Sequence, residues 1–267
     1  MQKYILLLFL FLSLSSFPAY AKEIQEGVNE IFISKTTAPF PVIDGKWTIG
    51  GEWGRSTERL FAYEDEAKIA IRVAHERENI YFMLDMVSDT TIDSGKDKAV
   101  ICFDTEVNGG DRPDIDDYCF VTVLDGSFTT YKGGGSTSNA LSAIDNPSGV
   151  EMKAGVSDAF DRYSKIPHLA YELKVPIESL KRTDVLGFYA AVFDSNTTTT
   201  YSWPISLSHG DDIEIKKPGE WGKLISPDKS IPEFPSGIAL FAGVILLGII
   251  LMTRGKFKLG GRLLRNS

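Results

Sequence analysis

Histidine and cysteine are scarce in this chain, three and two respectively in 267 residues. His75, His168 and His209 share no ligand spacing such as H-x-x-x-H, and two cysteines cannot build a zinc cluster. No G-x-S-x-G elbow occurs, nor any glycine-rich phosphate loop ahead of a helix, so the common hydrolase and nucleotide signatures are missing. Long amphipathic runs are absent as well. No segment of the chain's body keeps a 3.6-residue period for ten residues, which excludes a helical bundle. Basic charge is the minority. Of 28 basic and 36 acidic residues, one base falls in 1–21, and five bases and one acid fall in 231–267. The 209 residues between are left with 22 bases and 35 acids, a net charge of −13. Such a surface repels nucleic acid and favours cations or neutral ligands.

Both ends carry addresses. Met1-Gln2-Lys3, the apolar run Tyr4–Leu12 and a small-residue ending at Ala21 form the pattern of a cleavable secretory signal over 1–21. The alternative is an uncleaved anchor, for which the run is short of the roughly 20 residues that span a bilayer. At the other end, 237–253 contains no charge and is followed by Arg254, Lys256, Lys258, Arg262 and Arg265. This predicts a transmembrane helix over 237–253, a basic cytoplasmic tail over 254–267, and a body outside the cell. Residues 227–236 read as a proline-rich linker, and its "PEFP" (Pro232–Pro235) resembles archaeal PEF-type sorting tails cut by a membrane sortase. An ordinary single-pass anchor below a proline-stiffened stalk is the alternative.

Within 22–226, apolar residues alternate with period two. "KIAIRVAH" sets Ile69, Ile71 and Val73 on one face, and "NIYFMLDMV" sets Ile80, Phe82, Leu84 and Met86 on one face with Tyr81, Met83 and Asp85 on the other. "KAVICFD", "YCFVTVLD", "VEMKAGV", "LAYELKV" and "LGFYAAVFD" continue the series, and "PIESL" allows one helical turn. The expectation is a single all-β domain, an antiparallel β-sandwich of jelly-roll type. Residues 133–149 have loop composition, and Asn196-Thr197-Thr198 is an N-glycosylation sequon.

"VIDGKWTIGGEW" (42–53), "ENIYFMLDMVSD" (78–89), the acidic stretch 102–120, "YELKVPIESL", "LGFYAAVFD", "YSWPISLSHGDD" and "GEWGKL" follow one another in an order that resembles the family 9 carbohydrate-binding modules over about residues 40–226. The relatives of that family include DOMON-like proteins and a haem-binding subunit of ethylbenzene-dehydrogenase type. The resemblance implies a β-sandwich, bound calcium in some members, and a sugar-chain end held between aromatic rings. Tyr201, Trp203 and Trp221, in late connections of the pattern, are the candidate ligand-binding aromatics, while Trp47 and Trp53 read as packing. The family's sugar-clamping tryptophans cannot be matched one by one.

"CFDTEVNGGDRPDIDDYCF" (102–120) crowds carboxylates between the two cysteines. Asp104, Glu106 and Asn108 alternate ahead of Gly109, a spacing that wraps oxygen ligands round Ca²⁺, and Asp111, Asp114, Asp116 and Asp117 could complete the set from the returning limb. The bland reading is a solvated acidic turn. Cys102 and Cys119 flank the loop symmetrically and would face each other across a hairpin, so a disulfide is expected there; two buried thiols are the alternative. A structural Ca²⁺ at the tip with a disulfide at the base is the preferred reading. The remaining chain leaves no room for a catalytic barrel, so no enzyme is expected. The preferred function is glycan binding at the cell surface without catalysis, serving carbohydrate catabolism. The alternatives are a haem-carrying electron-transfer subunit, in which Met83, Met86 or Met152 would face a cavity, and a structural envelope protein.

Overall fold

The computed structural model describes residues 29–35, 40–47, 51–134, 141–157, 160–181 and 183–226. The signal (1–21), the linker (227–236), the apolar segment (237–253) and the basic tail (254–267) lie outside the described residues. Among the described residues no helix is long and apolar enough to cross a membrane.

In chain order the strands are β1 (Glu30–Phe32), β2 (Ser34–Lys35), β3 (Thr57–Ala62), β4 (Lys68–Glu76), β5 (Asn79–Met86), β6 (Lys98–Asp104), β7 (Asp117–Val123) and β8 (Phe128–Gly133). There follow β9 (Leu141–Ile144), β10 (Glu151–Val156), β11 (Leu169–Pro176), β12 (Val185–Asp194), β13 (Thr199–Trp203), β14 (Ser206–His209) and β15 (Gly222–Ile225). They form two sheets. One runs β1-β15-β12-β6-β7-β8-β9, with β13 on β12 and β14 on β13; the other runs β10-β11-β5-β4, with β2 and β3 both on β4. Two pairs, β1–β15 and β2–β4, are parallel, and the other ladders are antiparallel. The architecture is an all-β sandwich, as the alternation predicts, with those two parallel pairs as departures. "PIESL" holds the expected single turn, a 3-10 helix at Ile177–Leu180. Residues 141–144, read as loop from their composition, form edge strand β9 against β8; "LSAI" alternates too weakly for its pairing to be visible in sequence.

Ile69, Ile71, Val73, Ile80, Phe82, Leu84 and Met86 face the space between the sheets and are buried. They meet Phe103 and Phe188, with ring centroids of Phe82 5.2 and 5.4 Å from those two. Each such side chain contributes roughly 1.5–3 kcal/mol on burial. The sheets' outer faces are also covered. On β5, Tyr81 and Met83 pack with Trp53, Ala74 and Ala170, and Ile43 and Trp47 lie against them. Glu172 of β11 ties Asp44, Gly45 and Trp53 to this face. Its carboxylate accepts the Asp44 and Gly45 backbone N–H groups (2.8 and 2.7 Å) and the Trp53 Nε1–H (2.9 Å). Burial pushes the Glu172 pKa up to about 8 against those three donors.

Beside it a charged network is buried in the same outer face. Arg72 of β4, fully inaccessible, donates to Asp85 Oδ2 (2.9 Å) and Glu58 Oε2 (2.8 Å), and its guanidinium lies over the rings of Trp47 (4.6 Å) and Tyr163 (5.3 Å). His168 Nε2 pairs with the other oxygen of Asp85 at 2.7 Å. Burial, the largest single influence, lowers the His168 pKa, but the bond and charge of Asp85, the Ile166 carbonyl and the Asp161 charge together outweigh it and the net shift is upward.

Cys102 and Cys119 stand opposite one another on β6 and β7 and are joined by a disulfide. A closed loop with a separation of 17 residues stabilises by about 3 kcal/mol on the chain-entropy estimate. The Cys102→Ala/Cys119→Ala chain is therefore expected to lose about that much in a urea unfolding titration. A loss under about 1 kcal/mol would mean that the hairpin is already ordered without the bridge.

Candidate functional site

The β6–β7 hairpin carries the acidic loop, and a net of short-range hydrogen bonds sets its shape. Asp104, at the end of β6, accepts the N–H groups of Glu106, Asn108 and Gly109 (3.1, 3.3 and 2.8 Å), so one carboxylate gathers three backbone N–H groups of the loop. On the returning limb, Asp116 Oδ2 accepts the Glu106 N–H (2.8 Å), Asp117 Oδ2 accepts the Asp114 N–H (2.7 Å), and the Asn108 amide donates to Asp114 and Asp116. The hairpin tip leans on the segment before β15, where the Gly219 N–H donates to Gly110 O at 2.8 Å. A β-carbon on Gly219 would lie 3.0 Å from that oxygen, a tight contact that a larger residue could meet only if the hairpin tip shifted by a few tenths of an ångström.

Three of the seven predicted ligands converge. Asp104, Asp116 and Asp117 are buried, and one oxygen of each lies within 4.8 Å of the others. Asp117 Oδ1 is buried with no hydrogen-bond partner. Burial, followed by the neighbouring carboxylates, pushes the Asp117 pKa up to about 7. Asp116 rises to about 6 through burial and its bond with Asp114, while the same bond holds Asp114 low. An orphaned oxygen among buried hard-oxygen donors suits Ca²⁺, with Asn108 and Asp114 at the margin. Glu106 and Asp111 turn outward to lysines instead, Glu106 to Lys181 and Asp111 to Lys217 (3.1 Å).

A groove of about 310 Å³ opens between this hairpin and residues 218–223, lined by Asp104, Asn108, Trp221 and Lys223, with Gly187 and Gly222 beneath. Gly187 is required by closeness, because a β-carbon there would stand 2.7 Å from Asp104 Cβ. A shallower space of about 340 Å³ adjoins it, with Asp111, Lys217 and Glu220 on its walls. The groove offers a ring edge, an amide, an ammonium and a carboxylate to a ligand rich in hydroxyls.

The three candidate aromatics do not form a platform. Trp203 is 2% exposed and sits in the core against Phe61 and Phe188, at 6.3 and 5.4 Å. Tyr201 is 3% exposed, with its hydroxyl donating to Asp65 at 2.7 Å. Both rings sit at inward positions that alternation alone could not separate from ligand positions. Trp221 alone reaches the groove, and only by an edge: its ring stacks on Tyr189 and its Nε1–H donates to Lys216 O at 2.8 Å. Trp53 is buried as packing. Met86 and Met152 are buried among apolar side chains, and Met83, buried on the outer face, accepts a hydrogen bond at its sulfur from Arg72 Nη1 (3.4 Å). Asn196 is exposed in the turn after β12. Lys223 and Gly187 lay outside the sequence reading, since nothing in "GEWGKL" or "LGFYAAVFD" distinguishes a groove residue from a strand residue.

No family model and no curated protein matches the chain. Among solved structures it is similar to a family 9 carbohydrate-binding module from Caldicellulosiruptor kristjanssonii in complex with cellotriose. That match has 12% identity and a TM-score of 0.47, over 77% of this chain and 100% of that one. The same module in complex with glucose matches at 12% identity and a TM-score of 0.48, with the same coverage.

Proposed function

We propose that this is an exported, membrane-anchored, non-catalytic glycan-binding module whose site is the groove between the acidic hairpin and residues 218–223. In this reading, Asp104, Asp116 and Asp117 hold a structural Ca²⁺ that neutralises the crowded hairpin and fixes the groove's acidic wall. Residues 1–21 and 237–253 support export and anchoring, and the PEF-type motif at 232–235 supports handling by a membrane sortase. The observation that carries the reading is the composition of the groove. Its polar groups come from Asp104, Asn108 and Lys223 around a tryptophan edge, in a volume suited to one or two sugar rings. Against haem carriage stand the packed apolar surroundings of Met86 and Met152 and the engagement of the Met83 sulfur by Arg72.

A glycan array probed with the full-length chain is expected to give saturable hits. For a hit, Lys223→Ala should weaken binding about tenfold, the equivalent of about 1.4 kcal/mol, without moving the melting temperature. An array without hits, or hits indifferent to Lys223→Ala and to Trp221→Ala, would sink this assignment.

A further inference from the structure

The end of β10 and the start of β11 are tied by one pair of residues. The Ser157 N–H donates to His168 O (2.7 Å) and the His168 N–H to Ser157 Oγ (3.0 Å), and that hydroxyl lies 2.8 Å from His168 Nδ1. Residues 160–168, which lead into β11, reach back to β3 and β4. The Tyr163 hydroxyl and Arg162 Nη1 donate to Glu58 Oε1 (2.6 and 2.9 Å), and the Tyr163 ring covers the Arg72 guanidinium. Within the segment, Asp161 Oδ1 accepts the Tyr163 and Ser164 N–H groups (2.7 and 3.2 Å). Phe160, Arg162, Lys165, Ile166 and Pro167 are exposed, so few apolar contacts hold the segment down.

His168 is 0% exposed, and each of its ring nitrogens faces an oxygen that only accepts. Nε2 lies 2.7 Å from Asp85 Oδ1, and Nδ1 lies 2.8 Å from Ile166 O. A neutral imidazole has one N–H, so one nitrogen would aim a lone pair at such an oxygen. Even with the Ser157 hydroxyl turned onto Nδ1, Ile166 O would oppose that lone pair. The charges agree. Around the ring, Asp85 and Asp161 are fully buried with one buried cation, Arg72 on Asp85, while Glu58 at the margin is met by Arg162. An imidazolium balances the buried charges. Burial opposes its charge, but Asp85, the Ile166 carbonyl and Asp161 together outweigh that. Other titratable groups adjoin the ring. Tyr163 keeps its proton, pushed up to about 12 chiefly by burial, and Lys165 donates to Asp161 O (2.7 Å). Asp89, whose backbone carbonyl accepts the Leu169 N–H (3.3 Å), is raised by burial to about 7, and its carboxylate holds Thr91 rather than the ring.

We propose that His168 is a proton-operated latch: as the imidazolium it fastens residues 160–168 to β5 through Asp85, and on losing its proton it lets that segment leave the sheet and uncover Arg72. The latch is independent of the groove and of the hairpin ion.

Hydrogen exchange of the full-length chain in detergent at pH 6 and pH 9, corrected for the intrinsic rate at each, tests it. The closed form is favoured while the ring is charged and loses that advantage as pH climbs through the closed-state value. Amides of Tyr163, Ser164, Ile166 and His168 should therefore lose at least tenfold in protection at pH 9, while β5 and β11 keep theirs; tenfold corresponds to one pKa unit between closed and open rings. His168→Gln keeps an N–H for Asp85 but takes up no proton, so its protection in this segment should be the same at both pH values. Equal protection at pH 6 and pH 9 in the unmodified chain overturns the proposal. So does a pH dependence that survives His168→Gln, which would assign it to Asp89. Should His168→Gln fail to fold, nitrogen-15 spectra of the histidine rings, assigned through His75→Gln and His209→Gln, decide. A His168 ring doubly protonated at pH 6 that turns neutral as protection falls supports the latch, and a ring neutral at pH 6 overturns it.

Discussion

Arg72→Leu is expected to destabilise the chain by about 3–5 kcal/mol, the usual consequence of removing one partner from a buried ion pair. For a body of this size that is roughly 10 °C in melting temperature. The reason is what stays behind. Asp85 is fully buried and its Oδ2 would lose the guanidinium, leaving its charge to His168 alone. Glu58 would lose the Arg72 Nε bond, though Arg162 and the Tyr163 hydroxyl would still hold its other oxygen (2.9 and 2.6 Å). The Trp47 and Tyr163 rings would lose the cation between them. Arg72→Leu/Asp85→Leu should cost less than the sum of the single changes, because the two groups share one interaction. Thermal melts of the three variants check this. A drop under about 1 kcal/mol for Arg72→Leu would show that water satisfies Asp85, and that the network is not a core element.

Chelation is expected to reverse the pH dependence of stability. In the ion-free fold Asp89 and Asp117 sit near pKa 7 and Asp116 near 6, all above the ordinary carboxylate range because of burial. A group raised in the folded state favours folding below its unfolded pKa and loses that contribution as pH climbs through the folded value. In EDTA the chain should therefore melt higher at pH 5 than at pH 8. His168, also raised, adds to the same slope. Calcium reverses the trend, since it binds the ionised form. The hairpin site held at a hundred times its dissociation constant adds about 2.7 kcal/mol, or roughly 5–10 °C. Melting curves at pH 5 and pH 8, with and without calcium, give four numbers. Equal melting temperatures across all four would remove both the ion and the crowding that motivates it.

How much of this was legible from residues alone depends on sequence distance. The hairpin reads directly because Cys102, Asp104, Asp117 and Cys119 are neighbours in sequence and face one another in register. The core of β4 and β5 reads equally well, since one face alternates without interruption. The opposite faces do not, because Tyr81, Met83 and Arg72 are covered by irregular segments that carry no period. Asp85, Ser157 and His168 carry no motif, and only the pairing of β11 with β5 and with β10 brings them together. The aromatics fail for the converse reason. Trp203 and Trp221 are chemically alike and two strands apart, yet one fills the core and the other reaches the groove by an edge.

The direction of β15 has a mechanical meaning. Its pairing of Val185 with Ile225 sends residue 226 out at the same end of the sheet as the hairpin, while β15 itself lies between β1 and β12. Tension drawn through residue 226 along the strand runs in shear across both ladders, so their hydrogen bonds resist together rather than unzip one after another. A strand gripped on both sides makes this end of the body a firm point from which to hang the whole sandwich under load.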